Sequence, residues 1–353
     1  EETAREEGRL SAMERELAEI PRRRARLETL EAETARCREA LSLLADREAR
    51  QKSLAELERR RAGLAARGEG TGAAIVLYVR LPRTAGCLAA GACLAVAGAV
   101  IQTVLANPLA SPSVIGVNAG AGAAVALCCA LAPMAVGLTP IAAFGGAFGS
   151  AMLVLAVSQR AGASRMTLIL TGVALSSIFS AAVDLVVTLV PDALNGYSDF
   201  RVGGLGSVTM ARVAPAAAVG AVCLAGLLLL TNELDVLALG TETARSLGLQ
   251  VGRMRVIVLA LAAGLAGAAV SVAGLIGFVG LIVPHLIRRF LGEESRPLIL
   301  GCALGGAALL TFCDTAARTL FAPYEIPVGV ALSLGGGPFF IWLVLHQKGG
   351  RRR

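Results

Sequence analysis

The chain has only two histidines, and its eight cysteines (Cys37, Cys87, Cys93, Cys128, Cys129, Cys223, Cys302 and Cys313) contain no CxxC pair. Metal-ligand spacing is therefore missing, and the cysteines read as small packing residues. No GxxxxGK followed by Ser or Thr occurs, which excludes a P-loop and leaves the chain without a nucleotide site of that kind. There is neither an HExxH sequence nor a pair of aspartates in facing apolar segments, so an enzyme built on either lacks its convergent catalytic groups. The first residues are charged and carry no apolar h-region, so no signal peptide is recognisable; the start at Glu1 suggests a fragment or an altered start.

Apolar surface is what the sequence has in excess. Hydrophobic residues make up 55%, glycine contributes 41 positions, and mean hydropathy is +0.68, more than a chain with a wetted surface carries. Charge divides the chain. Residues 1–70 hold 16 basic and 16 acidic side chains, whereas residues 71–353 hold 17 and 10, so the net charge of +7 belongs to the apolar part. These are the two expected domains: 1–70, a charged helical coiled-coil-like segment of uncertain origin, and 71–353, a transmembrane domain. In the first, Leu10, Met13, Leu17 and Ile20 follow the 3-4-3 spacing of a coiled-coil seam that Pro21 interrupts; a solvated helical hairpin reads the same way.

From Thr84 onward, apolar stretches long enough to approach the width of a bilayer alternate with charge, Pro or Gly. Nine are expected, at roughly 84–106, 114–133, 140–158, 166–190, 213–231, 254–274, 278–291, 298–320 and 328–346; the seventh is short, contains Pro284, and reads as a broken or half-helix. Placing the C-terminal KGGRRR in the cytoplasm puts 12 basic residues inside and 5 outside, which fixes the orientation. Residues 90–116 align without gaps on 266–292 with nine identities, including Gly91/Gly267, Pro108/Pro284 and Gly116/Gly292. Five segments separate the copies, so they face opposite ways, as in the inverted repeats of transporters. The expected fold is thus all-α: a polytopic transmembrane bundle with inverted repeats behind a helical N-terminal segment.

Six motifs follow in order: RLPR at 80–83, GACLAVAGAVIQTVLANPLASPSVIGVNAGAG at 91–122, LILTGVALS at 168–176, LGTETARSLGL at 239–249, VAGLIGFVGLIVPHLIR at 272–288 and EIPVG at 325–329. Together they resemble the FecCD-type permeases of ABC importers for iron-siderophores, haem and cobalamin, over residues 75 to 346. The resemblance implies a homodimer of ten-span subunits in the bacterial inner membrane, two cytoplasmic ATPase subunits, a periplasmic or lipid-anchored substrate-binding protein, contact with membrane lipid and none with nucleic acid. ATP and Mg²⁺ would then belong to the ATPase, this chain binding no cofactor. The family has one span before RLPR, whereas here only AAIVLYV at 73–79 follows the charged region.

Carried over residue by residue, the resemblance implies that Arg80, Arg83 and Arg318 meet acidic residues of the binding protein. Exposed guanidinium forks suit that task; the plainer reading is that these arginines anchor helix ends at the headgroups. Asn107, Pro108 and Leu109 match the cytoplasmic turn that narrows the translocation path, with an ordinary interhelical turn as the alternative. A second gate would fall at Gly162, Ala163 and Ser164, a poor side-chain match. Glu242, Ala244, Arg245 and Gly248 match the coupling helix that fits a cleft on the ATPase; an amphipathic turn resting on the bilayer would look similar. Lone His285 is read as structural. Asp184 and Asp314, in apolar segments, are expected to face the bundle interior or a wet cavity. A membrane-anchored coiled-coil scaffold without transport activity is the competing function; it accounts for residues 1–66 but not for the ordered motifs.

Overall fold

In a computed structural model, the described residues are 13, 56–59 and 71–347 except 134, 136, 163 and 323. They divide into two compact units, Glu1–Ala74 and Ile75–Arg353. The coiled-coil seam at Leu10, Leu17 and Ile20 lies outside the described residues. The second unit is all-helical among its described residues: α1 (Leu81–Leu105), α2 (Val117–Leu131), α3 (Thr139–Arg160), α4 (Arg165–Leu189), α5 (Ala193–Val202), α6 (Met210–Leu229), α7 (Thr231–Ala238), α8 (Thr241–Ser246), α9 (Val251–Ala273), α10 (Val279–Leu291), α11 (Ser295–Thr319) and α12 (Val328–Gln347).

Among the described residues, six helices are long and apolar enough to cross a membrane: Val76–Leu105, α3, α4, α6, α9 and α11. Each of the other expected stretches also contains a helix, namely α2, α10 and α12. The first span begins eight residues earlier than expected, because RLPR does not interrupt it. Pro82 has no N–H to give and its ring crowds the preceding turn. Val76–Arg80 accordingly widens into a π turn, closed by the Leu81 N–H on the Val76 carbonyl, and the helix runs on. Pro284 likewise leaves α10 unbroken, although at 13 residues it is a half-length helix.

Burial ranks the helices. In α1 and α9, 78% and 72% of the apolar window is covered by protein, against 17% in α4 and α6, so the first two form the centre and the latter two the periphery. Hydrophobicity does not drive helices together inside lipid; close packing does, and small residues permit it. A Cβ on Gly91 of α1 would land on the Gly306 carbonyl of α11, and one on Gly98 would land on the Gly280 carbonyl of α10. The backbones therefore touch, and this explains glycine at these positions.

The gap-free internal echo is not a structural register. Residues 106–111 are non-helical, whereas their counterparts 282–287 lie in the middle of α10. Shared small residues inflate the identities, and the two crossings turn at different points of the alignment.

Candidate functional site

At one end of the bundle, Asp314 sits buried on α11, where an unpaired carboxylate would be costly. Arg83 satisfies it with a fork: Nε donates to Oδ2 at 2.9 Å and Nη2 to Oδ1 at 3.0 Å. Its remaining nitrogen, Nη1, donates to Glu325 Oε2 at 2.9 Å. That bond holds the Glu325 carboxyl below its ordinary range, with the charge of Arg83 adding to the effect. Arg318, one turn along α11 from Asp314, lies 3.5 Å from Oδ2 through Nε, an ion-pair distance. Arg83 is thus no exposed fork. It is 7% accessible and consumed by two carboxylates of its own chain, because α11 brings a buried anion against it. Arg80 is exposed, and Arg318 remains about one-third open.

At the opposite end, α1 stops at Ala106, whose φ of 46° turns the chain left-handed. The Asn107 N–H donates to the Gln102 carbonyl at 3.1 Å, and its side-chain Oδ1 accepts from the Leu109 N–H at 3.0 Å, forming an Asx turn around Pro108. The local chemistry of Asn-Pro-Leu is therefore that of a capped tight turn. Gln102 ties it to α10 by donating from Nε2 to the Gly280 carbonyl at 3.1 Å. Arg288 of α10 returns the connection by donating to Gln102 Oε1, to the Ala99 carbonyl at 3.3 Å and to Thr103 Oγ1 at 3.3 Å. A cavity of about 290 Å³ opens here, lined by Gln102, Asn107, Pro108, Ala238, Arg288 and Glu293. Partly buried His285 lies inside α10 next to Pro284. Of the second gate, only Gly162 and Ser164 are described. Ser164 caps α4 through Thr167 N–H at 3.0 Å, an ordinary helix start.

On the same side, α7 and α8 form a short helical pair. Asp235 Oδ1 accepts the Ser295 N–H at 2.8 Å, capping the start of α11 and anchoring α7. Gly248, at φ 86°, ends α8 in a Schellman motif: Leu249 N–H reaches the Ala244 carbonyl at 3.0 Å and Gly248 N–H reaches that of Arg245 at 2.9 Å. Glu242 and Arg245 are exposed. Ala244 is not a contact surface: it is fully buried with Leu237 and Val251, because α8 must bury one face to stay folded at six residues.

Peripheral α4 carries a polar stripe that sequence reading passed over apart from Asp184. Ser176, Ser180 and Asp184 are four residues apart and so share one face. They open, with Ser177, onto a cleft of about 890 Å³ whose far wall includes Asn118 and Tyr197. The fourfold spacing was readable, but it lay inside an apolar run scored only for length. The Tyr197 phenol is pushed up by burial, with Arg201 opposing and Asp184 adding to the rise. Among the described residues no cluster of His, Cys, Asp and Glu could hold a metal ion.

The profile of the FecCD transport family matches residues 54–346. The hemin transport system permease protein HmuU of Yersinia pestis is 39% identical over 284 residues, which cover 78% of this chain and 84% of that protein. The Fe(3+) dicitrate transport system permease protein FecC of Escherichia coli (strain K12) is 38% identical over 283 residues, 78% of this chain and 84% of that one. Among solved structures, a metal-chelate type ABC transporter in an inward-facing conformation superimposes with a TM-score of 0.72 at 30% identity, over 77% of this chain and 88% of that chain.

Proposed function

The chain belongs to the FecCD transport family, and from that premise we propose that it is the permease subunit of an ATP-driven importer, forming the path for an iron chelate, haem or a cobalamin-type substrate. The observation that carries this reading is the family match along nearly the whole bundle, which takes in both of its ends and the α7–α8 pair. A transport permease is not an enzyme. ATP hydrolysis and its Mg²⁺ belong to two separate ATPase subunits, for which the exposed Glu242 and Arg245 on α8, beside the Gly248 turn, are the contact candidates; buried Ala244 serves by holding α8 in place. A substrate-binding protein outside would meet Arg80 and Arg318, with Arg83 holding their helix ends together. The turn Asn107-Pro108-Leu109 would be the inner constriction. The weakly covered α4 supports a homodimer, and the basic residues assigned to one side support the bacterial inner membrane, with the apolar helix faces against lipid. Residues 1–70 are read as a separate appendage. The scaffold alternative is not favoured, since it gives no reason for a capped turn at one end of the bundle or a polar stripe along α4.

The test is reconstitution of the chain with its ATPase and binding-protein partners, followed by ATP-dependent uptake of ferric chelates, haem and cobalamin into proteoliposomes. Uptake of one of them that vanishes without ATP is expected. Assembly with both partners, but no ATP-driven uptake of any of the three, would sink the reading.

A further inference from the structure

The cleft beside α4 contains one formal charge, and we propose that it is a wet, cation-favouring stretch of the path, suited to neutral or positively charged chelates rather than polycarboxylate ones. The inference rests on the permease reading and deepens it to a substrate class. Ser176, Ser180 and Asp184 stand on one face of a helix whose surface the protein covers poorly. An ionised carboxylate facing hydrocarbon is expensive, so such a face turns to water or to a polar cavity. Across the opening, Asn118 and Tyr197 supply further hydrogen-bonding groups, while no Lys or Arg is among the lining residues. Asp184 is exposed, and its carboxylate has neither an ion pair nor a hydrogen bond among the described residues. Arg201, one turn beyond Tyr197 on α5, is a rival charge; it acts on Tyr197 but lies outside the lining. A cleft of about 890 Å³ accommodates a chelate-sized guest. A carboxylate with no cationic side chain in the lining repels an anionic guest and leaves a neutral hydrogen-bonding one unaffected. In a dimer the charge would occur twice.

The experiment places a thiol in the cleft of the intact importer in proteoliposomes. Ser180→Cys is treated with methanethiosulfonates carrying either a trimethylammonium or a sulfonate group, and modification is counted above that of the parent chain. Both reagents should react, the cationic one several-fold faster after normalisation to a free thiol in solution. That preference should collapse in Ser180→Cys with Asp184→Asn and persist in Ser180→Cys with Arg201→Gln. Failure of either reagent to reach the introduced thiol would mean a lipid-facing or closed stripe. A ratio that Asp184→Asn does not change would assign the potential to another group. Either result overturns the inference, even if the importer transports. Conversely, the expected labelling in an importer that moves no chelate leaves the charged cleft standing and removes the permease reading. Where both ferric citrate and a neutral ferric trihydroxamate are transported, Asp184→Asn should raise uptake of the first relative to the second several-fold; an unchanged ratio overturns the substrate class.

Discussion

The Arg83–Asp314 contact shows how a residue's role depends on a partner far away in sequence. The two are 231 positions apart, yet the carboxylate is buried and the fork is bidentate. Removing Asp314 alone leaves a guanidinium with only Glu325 to answer it, and breaking a buried pair from one side costs about 3–5 kcal/mol. Asp314→Leu should therefore lower the unfolding midpoint of the detergent-purified chain strongly, whereas Arg83→Met combined with Asp314→Leu should recover most of the loss. Equal destabilisation by the single and double variants would show that the pair is not the cause. Docking should respond to different residues. Arg80→Glu, which touches neither carboxylate, is expected to weaken association with the binding protein at least several-fold at low salt, and less as salt screens the contact. Arg83→Glu should instead report through folding. Surface plasmon resonance across an ionic-strength series separates the two, and unchanged affinity of Arg80→Glu at low ionic strength counts against a docking role.

At the scale of the element, helices were readable where the signal was a long apolar run, and α1, α3, α4, α6, α9 and α11 all answer to it. Their ends were less readable. The expected boundary at Thr84 failed because a π turn absorbs Pro82, and the paired copies at 106–111 and 282–287 diverge because one is a capped turn and the other a helix. The α8 terminator was legible in Gly248, since glycine tolerates the left-handed backbone that a Schellman ending requires. Which α8 residues face outward was not legible, because that depends on Leu237 and Val251 from neighbouring elements. From this arrangement, Glu242→Cys and Arg245→Cys should cross-link to an ATPase subunit in the assembled importer, whereas Ala244→Cys should not, and Ala244→Asp should instead abolish coupling by unseating α8. Cross-linking from 244 with none from 242 or 245 would invert the assigned faces.

For the molecule as a whole, the sequence made the membrane class and the transport family readable, since both rest on composition and ordered motifs. The partner of Asp314 and the cleft beside Asp184 were not, since each is made by helices meeting in space. The division between 1–70 and 71–353 is a proposal resting on charge: 16 basic and 16 acidic residues in the first, and nearly all of the apolar runs in the second. Among the described residues, the buried core clusters lie within residues 87–332. If the transport cycle is carried by that core, it does not depend on the charged segment. A protease site inserted between Gly70 and Thr71 tests this without disturbing insertion, because cleavage follows assembly in the membrane. Cleaved and uncleaved importers should show the same ATP-driven uptake within about a factor of two and the same unfolding midpoint. Uptake lost on cleavage while the bundle remains folded and bound to its ATPase would make residues 1–70 a working part of the importer and move the functional boundary to the first residue.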